Sequence, residues 1–121
     1  MKENEMKHKC DKNPIISGRG ICDPHLQLFE GKIYLYTSHD KNPNQSRFAM
    51  NDWTVWSTED FVHWKLENII KPEDFYMGSS ERCWAVDAAY ANGKYYFYYS
   101  NGNDQTGVAV SDTPAGPFKD S

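Results

Sequence analysis

The chain has 121 residues, a formal net charge of −4 and an aromatic content of 15%, at a mean hydropathy of −0.80. This length suits one ordinary domain but falls short of a closed propeller, which takes roughly four blades or more. The acidic balance and scattered Lys and Arg exclude the basic footprint of a nucleic-acid binder, and no apolar run is long enough for a membrane-spanning helix.

Residues 1–14 read as a polar lead-in of Lys, Glu and Asn with little that could pack, so order is expected to begin near Ile15. Met1–Lys12 is charged throughout and has no apolar segment, which predicts no signal peptide and makes the cytoplasm the default location. An exported protein whose leader has been removed reads the same way. The first sheet unit runs from about residue 21 to 67, with strands expected near Leu26, near Tyr34, over Trp53–Ser57 and around Trp64. Asp40–Asn51 and Asn68–Arg82 lack strand patterning and read as surface loops, the usual carriers of substrate contacts. A second unit, at about 84–121, has one strand opened by Asp87 and another over Tyr95–Tyr99, and stops after Pro117-Phe118 one strand short of a full set. Glu30-Gly31 and Asn92-Gly93 each precede Lys between apolar runs and predict hairpin turns. Ile33–Tyr36 and Tyr95–Tyr99 do not alternate with polar residues, which predicts strands covered on both faces.

The two units repeat each other. In Asp23–Ser38 and in Asp87–Ser100 an acidic residue opens a strand, a Gly-Lys turn follows, and an aromatic strand ends in Ser. A repeated sheet unit must stack on its copy to bury its faces, which is the logic of propellers and solenoids. The expected fold is therefore all-β, with about two antiparallel four-stranded blades of a truncated β-propeller occupying residues 15–121.

Asp23 directly precedes Pro24, which disfavours helical geometry and predicts an extended Asp23 at the mouth of the first inner strand. Asp87 takes the matching place in the second unit. Two carboxylates around one polar hollow are the minimum for acid/base work on a glycosidic bond, although an Asp at a strand start is as often a turn or capping residue. Trp84, three residues before Asp87, is a candidate to stack on a sugar face. Trp53 reads equally as a side wall of the pocket or as packing between blades. His25 and His39 have no second ligand at metal spacing and read as structural. Cys10, Cys22 and Cys83 show no CxxC spacing and read as small buried thiols. No metal site and no cofactor are predicted.

Four segments in order, Ile21-Cys-Asp-Pro-His-Leu26 through Ser38, Val55–Trp64, Cys83–Asp87 with Asn92–Ser100, and Gly107–Phe118, resemble the first two blades of glycoside hydrolase family 43. The resemblance spans roughly Asn13 to the C-terminus. It implies a five-bladed propeller that cleaves arabinose-, xylose- or galactose-containing plant polysaccharides with inversion at the anomeric carbon. Carried over by motif, Asp23 resembles the general base and Asp87 the auxiliary acid that orients the proton donor and raises its pKa. The family's general acid is a Glu of the third blade, so Glu59, Glu67, Glu73 and Glu81 are not assigned that role and the 121-residue chain is expected to lack activity alone. The implied partner is a carbohydrate substrate, with the missing C-terminal blades or a second copy against the open sheet faces. A non-catalytic carbohydrate-binding or pseudoenzymatic propeller is the alternative. A protein-interaction propeller of the WD-repeat kind ranks below both, because Gly-His and Trp-Asp pairs at fixed blade positions are missing.

Overall fold

Both turns marked as hairpins take the mirror-image geometry that suits right-twisted strands. In a computed structural model, which describes residues 7–10, 12–42, 44 and 49–121, Glu30 and Gly31 have φ of 53° and 78°, and Asn92 and Gly93 have 52° and 77°. Two consecutive positive φ values are what a type I′ turn requires. A Cβ placed on Gly93 would meet nothing within 4 Å. Gly93→Ala is therefore expected to cost only the left-handed backbone term, about 1–2 kcal/mol, read as a lower melting temperature.

The strands are β1 (Lys7–Lys9), β2 (Ile21–Phe29), β3 (Lys32–His39), β4 (Asp52–Thr58), β5 (His63–Ile70), β6 (Asp87–Ala91), β7 (Lys94–Asn101), β8 (Gln105–Ser111) and β9 (Lys119–Asp120), with one 3₁₀ turn at Pro72–Asp74. They form two antiparallel sheets, ordered β1-β5-β4-β3-β2 and β6-β7-β8-β9. The all-β blade architecture expected from the repeat is what folds, and no helix among the described residues is long and apolar enough to cross a membrane.

An aromatic core joins the sheets. Trp53 of β4 meets Phe97 of β7 edge-on, with centroids 5.6 Å apart at 76°, and Phe75 stacks on Tyr99 at 4.4 Å. A second cluster, Leu35, Trp56, Trp64 and Leu66 with Ile16, covers the other face of the first sheet. β3 is thus buried on both sides, as the unbroken run Ile33–Tyr36 predicts, and β4 is too. β7 is not. Tyr95, Phe97 and Tyr99 point into the core, while Tyr98 is 44% exposed. The period of two puts Tyr96 and Tyr98 on the other face of β7, and no further sheet covers that face among the described residues. The buried tyrosine hydroxyls find partners nearby: Tyr36 donates to the Pro114 carbonyl at 2.5 Å and Tyr99 to Asp120 at 2.6 Å.

Three features differ from the sequence reading. The polar lead-in contributes β1, which pairs Lys7, His8 and Lys9 with Lys65, Trp64 and His63; an edge strand is held by backbone hydrogen bonds and needs no apolar side chains. Residues 1–6 and 11 lie outside the described residues. The second sheet begins a fourth strand, since Lys119 and Asp120 pair with Val110 and Ala109. The two insertions are not plain surface loops: Asn68–Ile70 extend β5, Phe75 enters the core, and Met50 bridges to Arg82. Residues 43 and 45–48 of the first insertion lie outside the described residues.

Candidate active site

The ladder between β2 and β3 shifts register between Cys22 and His25, which makes Asp23-Pro24 a bulge. Pro24 has no N–H to give to a ladder, so the interruption falls where pairing is weakest. Asp23 is left-handed, with φ of 49°, rather than extended. The residue before proline is ordinarily pushed to extended geometry, and here the bulge overrides that local preference. Asp and Asn are the non-glycine residues most often found in the left-handed region. Bulges re-aim side chains at the rims of active sites, and an observed backbone outlier is a pointer to function.

Asp23 lies on the wall of a cleft of about 520 Å³, a size in the ordinary ligand-pocket range. The wall also contains Cys22, Asp40, Met50, Trp84 and Ala85. Trp84 is half-buried, and the Arg82 guanidinium carbon sits 5.0 Å from its ring centroid. Arg82 is itself held by Asp104 at 3.0 Å, so the indole has a fixed cation beside it. Trp53, expected as either side wall or packing, is packing. Its ring is 0% exposed, and its indole N–H donates to the Trp84 carbonyl at 2.8 Å. It has no surface to offer a sugar, but it supports the residue that lines the cleft.

Asp87 opens β6, is exposed, and is not on the wall of the cleft. Its Oδ1 lies 2.5 Å from His25 Nε2 on β2 and accepts the Ala88 backbone N–H at 2.6 Å. The structure therefore brings the two predicted acids onto neighbouring strands, with His25, two residues after Asp23, touching Asp87. His39 is likewise bound to a carboxylate, with Nδ1 2.6 Å from Asp52.

Asp40 and Cys22 are cleft residues that the sequence reading passed over. A signal for Asp40 was available, because a hairpin centred on Glu30-Gly31 carries the end of β3 back to the start of β2. Burial, then the Asp23 and Asp40 carboxylates, pushes the Cys22 thiol pKa up, which places both acids' fields on one side chain. Burial pushes Cys83 up to about 12, with Asp52 and Glu73 adding to it. Cys83 should therefore stay unreactive towards a disulfide reagent at pH 8 in the folded chain and react once denatured; rapid labelling under native conditions would contradict this burial. Among the described residues no group of three or more His, Cys, Asp and Glu is arranged to hold a metal ion. A second cleft, of about 390 Å³, lies where the β4–β5 turn meets β1 and contains Lys7, Lys9, Lys32 and Lys65. Its Asp60 is taken by His63, whose hydrogen bonds hold that carboxyl well below the usual range.

Residues 11–121 match the sequence pattern of the glycosyl hydrolases family 43. A xylosidase/arabinosidase of Bacteroides ovatus is 34% identical, covering 91% of this chain and 38% of that protein. Xylosidase/arabinosidase 43A of Humicola insolens is 36% identical, covering 87% and 36%. Among solved structures, a β-xylosidase/α-arabinofuranosidase from a compost microbial metagenome, in complex with xylotriose, superposes with a TM-score of 0.79 at 31% identity, over 95% of this chain and 38% of that one. A family 43 enzyme from Xanthomonas citri complexed with xylotriose gives 0.76 at 32% identity, over 89% and 33%. The chain thus spans 33–38% of the length of these relatives. Because the family pattern runs through both sheets and through every motif that builds the cleft, the chain belongs to glycosyl hydrolases family 43.

Proposed function

We propose that this chain is the part of an inverting glycoside hydrolase for arabinose- and xylose-containing oligosaccharides that carries the water-activating base, Asp23, and the auxiliary acid, Asp87. The observation that carries the reading is the bulge. It turns an aspartate into a sugar-sized cleft beside Trp84 at the cost of an unfavourable backbone conformation. On this reading Asp87, which opens β6, would keep a proton donor protonated by like-charge repulsion. The relatives' xylosidase and arabinosidase names and the xylotriose complexes of the similar structures support pentose-containing substrates.

The family resemblance implies a glutamate as proton donor. No glutamate is on the wall, Glu67 accepts from Ser57 at 2.7 Å, and Glu73 sits in the 3₁₀ turn. On this reading the 121-residue chain alone is expected to turn over no glycoside, since leaving-group protonation would have no glutamate to serve it. The same observation favours a second reading, a carbohydrate-binding propeller without catalysis. A chimera separates them: this chain replaces the matching third of the Bacteroides ovatus xylosidase/arabinosidase. Hydrolysis of 4-nitrophenyl β-xyloside or α-arabinofuranoside with inversion supports the enzyme. Xylotriose binding without turnover supports the second reading, and a folded chimera that does neither rejects both.

The outer sheet faces carry Leu28 at 66% exposure and Tyr98 at 44%, surface that propeller blades ordinarily cover. The isolated chain is expected to self-associate as its concentration rises, measured by sedimentation velocity. A monomer unchanged across the range, with a sharp cooperative melt, would count against open blade faces.

A further inference from the structure

Lysines from three separate stretches of the sequence are gathered on one face of the first sheet. Lys7 of β1 sits directly opposite Lys65 of β5, and Lys9 opposite His63. Lys65 in turn pairs with Ser57, and Ser57 with Tyr34. The period of two along a strand then puts Lys32 on the same face as Tyr34. All four lysines border the cleft of about 390 Å³ at the β4–β5 turn, where they meet two acids, Glu59 and Asp60. This cleft is therefore positive in a chain whose formal net charge is −4.

Neither stability nor edge protection accounts for the arrangement. Like charges directly opposite each other across a strand pair are destabilising, so the Lys7–Lys65 pairing works against β1, a strand of only 3 residues. Lysines do guard exposed sheet edges, and β1 is an edge. β3 and β5, however, are interior strands of that sheet, so Lys32 and Lys65 guard none. Asp60 is committed to its own turn, accepting from His63 Nδ1 and from the amides of Val62 and His63. Glu67, 3.8 Å from Lys65, also accepts the Ser57 hydroxyl.

We propose that this cleft is a second carbohydrate site, one that holds the carboxylate of a uronic-acid residue on an acidic oligosaccharide. The choice of a sugar acid among anions rests on the reading of the chain as part of a plant-polysaccharide hydrolase. The lining points the same way. Glu59 and Asp60 repel a doubly charged phosphate more strongly than a single carboxylate. Glu59 and Ser57 Oγ, whose proton goes to Glu67, offer acceptors to the hydroxyls around that carboxylate. Ammonium groups on flexible stems are point charges that impose no bidentate geometry. Binding is accordingly expected to be weak and salt-sensitive.

¹⁵N NMR of the 121-residue chain tests this with xylotriose carrying a glucuronic acid, plain xylotriose, and inorganic phosphate as probes. The acidic sugar is expected to shift the amides of Lys7, Lys9, Ser57, His63 and Lys65, while plain xylotriose at the same concentration leaves them in place. Raising the salt from about 0.01 M to about 0.15 M cuts the screening length from about 30 Å to about 8 Å and should weaken binding several-fold. Replacing Lys7→Gln and Lys65→Gln together should weaken it about tenfold, the combined worth of two exposed charge pairs. Lys32→Gln alone, on an interior strand, should weaken it about threefold, and keeps the test decisive if β1 detaches in the double variant. Phosphate binding as tightly as the acidic sugar would make the cleft a general anion trap and overturns the proposal. Equal shifts from the neutral sugar, no shift at these amides, or an unchanged affinity in the lysine variants overturn it too. None of these readouts involves turnover. A chimera that fails to hydrolyse glycosides leaves this result standing, and a failure here leaves the hydrolase reading standing.

Discussion

Asp23→Asn is expected to reduce hydrolysis by the chimera on the order of 10³-fold, within the range that a positioned general base contributes, while leaving its melting temperature nearly unchanged. Both halves of that expectation come from the bulge. Asparagine keeps the shape of aspartate and tolerates positive φ as aspartate does, so the strained backbone at φ of 49° survives the change. The side chain is exposed on the cleft wall and holds no partner that the fold depends on. What is lost is the proton acceptor. Asp23→Ala is a poorer test, because alanine pays more for the left-handed conformation and would mix a folding effect with a chemical one. Retention of more than about a tenth of the wild-type rate in Asp23→Asn would remove Asp23 from the role of base, since general-base catalysis ordinarily contributes more than that.

Trp53→Ala is expected to destabilise the fold by about 3–5 kcal/mol, the cost of emptying a large aromatic site. The ring is fully buried against Phe75, Phe97 and Tyr99, so truncation opens a cavity in the one core that joins the two sheets. Domains have only about 5–15 kcal/mol in hand, and a chain with uncovered sheet faces is expected near the lower end. Urea unfolding should show the variant largely unfolded or with its midpoint sharply lowered. Trp53→Phe keeps an aromatic ring in the site but leaves the Trp84 carbonyl without its donor, and should fall between. A Trp53→Ala loss below about 1 kcal/mol would mean that the sheets do not depend on this contact.

Much of this was legible in the chain itself. Asn92-Gly93 and Glu30-Gly31 marked both hairpins because the turn demands two positive φ values and few residue pairs supply them. The repeated acid, turn and aromatic strand set the two sheets side by side. The rest depended on facts that one strand does not carry. β1 was hidden because edge pairing uses backbone groups, which every residue has. Trp53 was ambiguous because polar Asn51 and Asp52 precede it, and only its pairing opposite Ser38 turns it to the inter-sheet face. The left-handed Asp23 is not legible because a following proline favours extended geometry, and the bulge that overrides it is set by pairing with β3. The partner of His25 was not legible because it lies 62 residues away, at Asp87 on the other sheet.

Met50 links the segments on either side of the cleft. Its amide donates to the Glu81 carbonyl and its carbonyl accepts from the Cys83 amide, both at 2.9 Å. Those two bonds lace the segment after β3 to the segment before β6, across the floor beneath Trp84. Widening the cleft would tear both at once, so this floor does not behave as a hinge. On the reading proposed above, a sugar would enter a hollow whose floor is already laced, so fit rather than movement of this floor would decide which sugars it takes.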